Sequence, residues 1–162
     1  MNFRIITALP LILLLGYGLA AQDSTEKRVK IFNLDDDHLA IQGYDPVSYF
    51  QKTGPREGKA QFSASYKGVN YRFASQENLK IFQSGPEKYE PQYGGWCAYA
   101  MLEGDKVDVD PESYKIVNGK LYVFYDGFFG DTLKRWNKMT ADTPETELIT
   151  TADQHWQEII SK

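Results

Sequence analysis

Two short turns constrain what this chain can fold into. Phe62, Ala64 and Tyr66 alternate with polar residues, Lys67-Gly68 follows, and Val69, Tyr71 and Phe73 alternate again. Period-two alternation on both sides of a short turn predicts an antiparallel hairpin with one apolar face. The second signal is stronger. Tyr114 to Val117 and Leu121 to Tyr125 flank Asn118-Gly119, a pair that tolerates the positive φ angles of a two-residue hairpin turn. Between the hairpins, Ser75 precedes Leu79 and Phe82 at helical spacing. It is read as the N-cap of a short helix that stops near Gly85-Pro86. Toward the C-terminus, Trp136 belongs to one helix, and Leu148, Ala152, Trp156 and Ile159 form one face of another opened by Thr143-Pro144-Glu145. Strands, helix, strands and helices in that order predict an α+β fold, a small single domain with hairpins packed against a short helix and C-terminal helices.

The N-terminus has a different character. Arg4 precedes an apolar run from Ile5 to Leu15, and Gly18-Leu19-Ala20 closes it. A basic start, a short apolar stretch and a small-x-small ending form the pattern of a cleavable export signal. Residues 1–20 are therefore expected to be removed, and the product is expected in a periplasm or outside the cell. Residues 21–38 read as an N-terminal lead-in. Its part from Gln22 to Arg28 is polar and loose, and Val29 to Leu34 reads as a first strand. No later segment reaches the roughly 20 apolar residues that a membrane helix needs, so no membrane span is expected after cleavage.

The net charge is −4, and loss of Arg4 with the leader makes it one unit more negative. A mildly acidic chain lacks the clustered Lys/Arg face that grips phosphate backbones, so nucleic acid is not an expected partner. There are 1 Cys and 2 His among the 162 residues. That count excludes an internal disulfide and a closed zinc site made of several cysteines.

Cys97 is the most reactive side chain. It follows Tyr93-Gly94-Gly95-Trp96 and precedes Tyr99. Glycines permit close backbone approach, so the thiol could face a tight pocket walled by Tyr44, Tyr93, Trp96 and Tyr99. Three roles stay open. Cys97 with Asp45, His38 or His155 could hold a metal; a soft thiolate beside imidazole suits copper or another transition metal. Cys97 could instead serve a thiol-dependent redox enzyme, which requires an exposed thiolate of lowered pKa. Finally, the Tyr/Trp set could form a metal-free pocket for a small molecule or protein, with Cys97 packed as a small hydrophobe. The close spacings of strong metal motifs are missing, and nothing in the sequence sets a histidine beside Cys97. Asp35-Asp36-Asp37 lacks the alternation of a calcium loop and reads as a solvated turn. These features favour a binding module over an enzyme.

Several motifs in order resemble the exported YHS-domain proteins of bacteria. They are Gly43-Tyr44-Asp45-Pro46-Val47-Ser48-Tyr49-Phe50, Tyr71-Arg72-Phe73-Ala74-Ser75, Pro86-Glu87-Lys88-Tyr89 and Pro91-Gln92-Tyr93-Gly94-Gly95-Trp96-Cys97-Ala98. Asp110-Pro111, Lys115 to Tyr122 and Ala152-Asp153-Gln154-His155-Trp156 continue the likeness. The resemblance implies a YHS-type domain over residues 39–162, with its core at about 44–89 and a helical extension behind it. The wider YHS family includes short metal-associated modules, so the resemblance also implies a module that binds a soft metal ion such as copper. In the cysteine-rich branch of that family the thiols stand in DPVC and FCSxxC segments. The matching positions here are Ser48, Ala74 and Asn78, so those ligands do not carry over, and Cys97 belongs to a different motif.

Overall fold

The computed structural model describes residues 24–162; the expected leader lies outside them. Both hairpins form. Strand β1 (Lys59–Tyr66) pairs antiparallel with β2 (Val69–Phe73), with Tyr66 opposite Val69 and Ala64 opposite Tyr71. The turn residues Lys67 and Gly68 take φ of 48° and 81°, whose twist matches that of the flanking strands. Val69, Tyr71 and Phe73 are buried while the residues between them are half-buried, which is the predicted alternation. Helix α2 (Gln76–Gln83) starts where expected, with the Ser75 hydroxyl accepting from the Asn78 backbone N–H at 3.1 Å. Its Phe82 ring packs against Tyr71 and Phe73, with centroids 4.8 and 5.1 Å apart.

The second hairpin joins β3 (Asp110–Val117) to β4 (Lys120–Phe124) across Asn118-Gly119, at φ of 51° and 73°. Strand β4 is enclosed on both faces. Leu121 and Val123 belong to a core shared with β2 and α2, whereas Tyr122 and Phe124 belong to a second core with Trp136, Leu148 and Ala152. A two-residue ladder of β5 (Asp126–Gly127) and β6 (Gly130–Asp131) follows and holds Phe128 and Phe129 at its tip. These rings are 95% and 77% exposed. Asp131 then caps α3 (Thr132–Met139) by accepting from the Lys134 N–H at 2.8 Å. Helix α4 (Glu145–Ser161) buries Leu148 and Ala152, with Trp156 and Ile159 partly covered. The whole is an α+β fold. Among the described residues no helix is long and apolar enough to cross a membrane.

The lead-in departs from expectation. Residues 24–31 form a helix, here α1, and Val29 to Leu34 contributes no strand, only one bridge from Leu34 to Ala40. The cause is tertiary. The Arg28 guanidinium pairs with Glu90, stacks 4.2 Å over the Phe32 ring, and fixes the helix against the domain. Behind it, Asn33 donates its backbone N–H to the Gly94 carbonyl at 2.9 Å and its side-chain amide to the Gly95 carbonyl at 3.1 Å. The receiving turn is left-handed, with Tyr93, Gly94 and Gly95 at φ of 56°, 59° and 87°. A Cβ on Gly94 would lie 2.7 Å from the Phe32 ring. Gly94→Ala combines positive-φ strain with that clash, so a loss of about 1–3 kcal/mol is expected in urea unfolding. An unchanged midpoint would show that α1 is not docked through this turn.

Candidate functional site

Cys97 is fully buried in the first core, directly after the left-handed turn. Its backbone N–H donates to the Val107 carbonyl at 3.0 Å. Its Sγ accepts from the Tyr125 backbone N–H at 3.4 Å and lies 3.4 Å from Thr132 Oγ1. The Thr132 hydroxyl donates to the Tyr125 carbonyl at 2.7 Å, so in the contact between the two side chains the thiol is the donor. A thiol held in this way is a packing element that ties β4's exit to the start of α3.

The other candidate ligands stand elsewhere. Asp45 is fully buried: Oδ1 accepts from the Val47 N–H at 2.9 Å, and Oδ2 accepts from the Ala74 N–H at 2.8 Å and the Asn78 amide at 2.6 Å. His38 is an exposed turn residue at φ 57°, its N–H donating to the Asp35 carbonyl at 2.9 Å. His155 is half-buried on α4, its Nδ1 3.2 Å from the Met101 carbonyl. Among the described residues no group of three or more His, Cys, Asp and Glu is arranged to hold a metal ion. The donors at Cys97 and Asp45 are already engaged with protein N–H and hydroxyl groups, so the residues present do not fit a soft-metal centre there.

The four aromatic residues expected around Cys97 do not line one pocket. Tyr44 donates its hydroxyl to Glu112 at 3.2 Å, and the Trp96 indole N–H donates to the Ile31 carbonyl at 2.7 Å, tying down α1. Tyr99 lines a cavity of about 270 Å³ against α3 and α4. Tyr93 alone reaches the site described next.

That site is a cavity of about 480 Å³ where the end of α1, the left-handed turn, the start of β4 and the face of α4 meet. Its aromatic walls are Phe32, Tyr93 and Trp156. Ring centroids are 6.0 Å apart for Phe32 and Trp156 and 6.3 Å for Tyr93 and Trp156. Glu87, Glu90 and Asp153 stand at the lining, with Lys120 as its one cation. Tyr93 donates its hydroxyl to Asp153 at 3.0 Å. Burial first, and the Asp153 charge second, push this phenol far above the ordinary tyrosine range, so it stays a neutral donor at any physiological pH. Glu90 accepts from both Arg28 and Tyr71. Glu87 accepts from Tyr66, a bond that holds its carboxyl below the usual range. Phe32 and Trp156 also line a second hollow of about 290 Å³, together with Arg28, Ile31 and Ile160. Tyr93 was legible as a candidate pocket residue, whereas Trp156 was legible only as part of the apolar face of a helix. Phe32 and the acidic residues were not, because the cavity exists only once α1 is docked.

Residues 55–93 match the family model of the YHS domain. The matched stretch runs through β1, β2 and α2 and ends at Tyr93 on the cavity wall. No curated protein and no solved structure matches the chain.

The burial of Cys97 has a direct readout. In native buffer an alkylating reagent is expected to leave Cys97 unmodified, and in denaturant to modify it fully, as followed by intact mass. Rapid native alkylation would show an accessible thiolate and restore the redox reading.

Proposed function

We propose that the chain is a YHS-domain binding module without enzymatic activity, acting through the cavity between Phe32, Tyr93 and Trp156. The observation that carries this reading is the cavity's composition. At about 480 Å³ it falls within the size range of small-molecule sites, roughly 300–1,000 Å³, and it sets three aromatic rings among lining residues that are otherwise largely polar. Glu90 is balanced by Arg28 and Glu87 lies 3.7 Å from Lys67, so Asp153, beside Tyr93 and Trp156, is the carboxylate that favours a ligand with a positive group, and aromatic faces attract such a group as well. The chain already shows this chemistry at its edge, where the Arg28 guanidinium rests on Phe32 and pairs with Glu90.

Tryptophan fluorescence tests it with three probes of one shape: benzylamine, benzyl alcohol and benzoate. Benzylamine is expected to give a saturable change that is lost in Trp156→Ala and weakened in Asp153→Asn, while benzoate gives none. Equal responses to all three, or a response that survives Trp156→Ala, would overturn the proposal.

A second reading, a module for copper or another soft metal, draws its support from the YHS match. It requires a metal to displace the hydrogen bonds at Cys97 or Asp45. Titration of the full chain with copper(I) is expected to give no stoichiometric complex. A complex of one metal per chain that disappears in Cys97→Ser would favour the metal module instead.

Export belongs to the proposal too, on the strength of the leader pattern in residues 1–20. Protein recovered from a bacterial periplasm is expected to begin at Ala21 by N-terminal sequencing. Retention of residues 1–20 would overturn cleavage there.

A further inference from the structure

Asp45 gathers three stretches of chain that are distant in sequence. Its carboxylate accepts from Val47 in its own loop, from Ala74 just beyond β2, and from Asn78 in the first turn of α2. Its backbone is tied in as well: the Asp45 carbonyl accepts from the Ser48 hydroxyl at 2.7 Å, and the Asp45 N–H donates to the Arg56 carbonyl at 2.8 Å. Ser48 Oγ in turn accepts from the Arg56 N–H at 3.0 Å. The Asn78 amide is fully oriented, its nitrogen on Asp45 and its oxygen accepting from Gln51 at 2.9 Å. Ser48, Ala74 and Asn78 are the three positions at which the cysteine-rich YHS pattern carries thiols, and here all three contact one fully buried aspartate.

We infer that a hydrogen-bonded carboxylate knot stands in this chain where the thiol-bearing pattern would gather a soft metal, and that the domain closes without one. The donor chemistry supports this. Ala74 contributes a methyl group and offers no side-chain ligand. Asn78 presents its amide nitrogen, which has no free lone pair, and the reverse orientation would set its oxygen against Asp45 Oδ2. Ser48 already gives its proton to a carbonyl and accepts an N–H. A buried carboxylate with three N–H donors is compensated by the protein itself, as a buried charge must be. The cross-linking of the three stretches thus comes from hydrogen bonds. This inference is independent of the cavity at Trp156, since no residue of the knot lines it.

The test uses the full chain. Thermal midpoints are recorded in EDTA with bathocuproine, then with one equivalent of copper(I), and cobalt(II) binding is followed by thiolate charge-transfer absorption. The natural sequence is expected to melt at the same temperature with chelators and with copper(I). Asp45→Asn is expected to melt lower by the same amount under both conditions. The triple variant Ser48→Cys, Ala74→Cys, Asn78→Cys is expected to acquire one cobalt(II) and a midpoint that rises with metal. If it is unfolded alone, cobalt(II) should fold it and give the same absorption. A chelator-induced fall in the natural midpoint overturns the inference, as does copper(I) binding that is lost in Asp45→Asn. Absence of cobalt(II) binding in both the triple variant and the double variant Ala74→Cys, Asn78→Cys overturns the placement of the three positions.

Discussion

The structure depends on a strand that has no solvent face. Leu121, Tyr122, Val123 and Phe124 are all at most 2% exposed, and their alternation distributes them between two cores. Each such burial is worth about 1.5–3 kcal/mol, so β4 draws on both cores at once and each core presumes the other. The position of Cys97 follows from this arrangement. Ala98 donates its N–H to the Val123 carbonyl at 2.9 Å, and Tyr125 at the end of the strand donates to the Cys97 sulfur. A residue stitched to a buried strand, and itself fully buried, has no route to solvent. Its chemical reactivity is governed by β4 rather than by the glycines before it.

What the sequence disclosed was local. Asn118-Gly119, the alternation across Lys67-Gly68 and the Ser75 cap each act within a few residues, and each appears where the spacing places it. What it withheld was tertiary. Helix α1 is held by Arg28 on Glu90 and by Asn33 on the left-handed turn, partners about 60 residues away. Gly94-Gly95 was read as making room for a thiol, yet Gly94 makes room for the Phe32 ring. The candidate ligands were legible as residue types, but whether a carboxylate meets a metal or an N–H depends on which distant backbone reaches it first. At Asp45 the backbone of Ala74 does.

The YHS match also locates the cavity within the chain. Glu87, Glu90 and Tyr93 lie inside the matched residues 55–93, whereas Phe32, Lys120, Asp153 and Trp156 lie outside them. The cavity is thus a joint product of the YHS stretch and the segments that wrap it. A bare YHS stretch would lack Phe32 and Trp156, and with them two of the three aromatic walls. The binding proposed for this site would accordingly be a property of the extended chain.

The Phe128–Phe129 tip is exposed on a backbone that is hydrogen-bonded at Phe129. The Phe129 N–H donates to the Tyr125 hydroxyl at 3.2 Å, its carbonyl accepts from Arg135 at 2.7 Å, and the two rings meet edge to face at 5.3 Å. The pinned backbone holds both rings out of the fold, 95% and 77% exposed, as one apolar patch. That exposure makes the tip adhesive at high concentration. Asp126 and Asp131 flank it, and two tips that meet head-on bring four carboxylates together. Colloidal behaviour should then follow ionic strength, because salt screens that repulsion while leaving the apolar attraction in place.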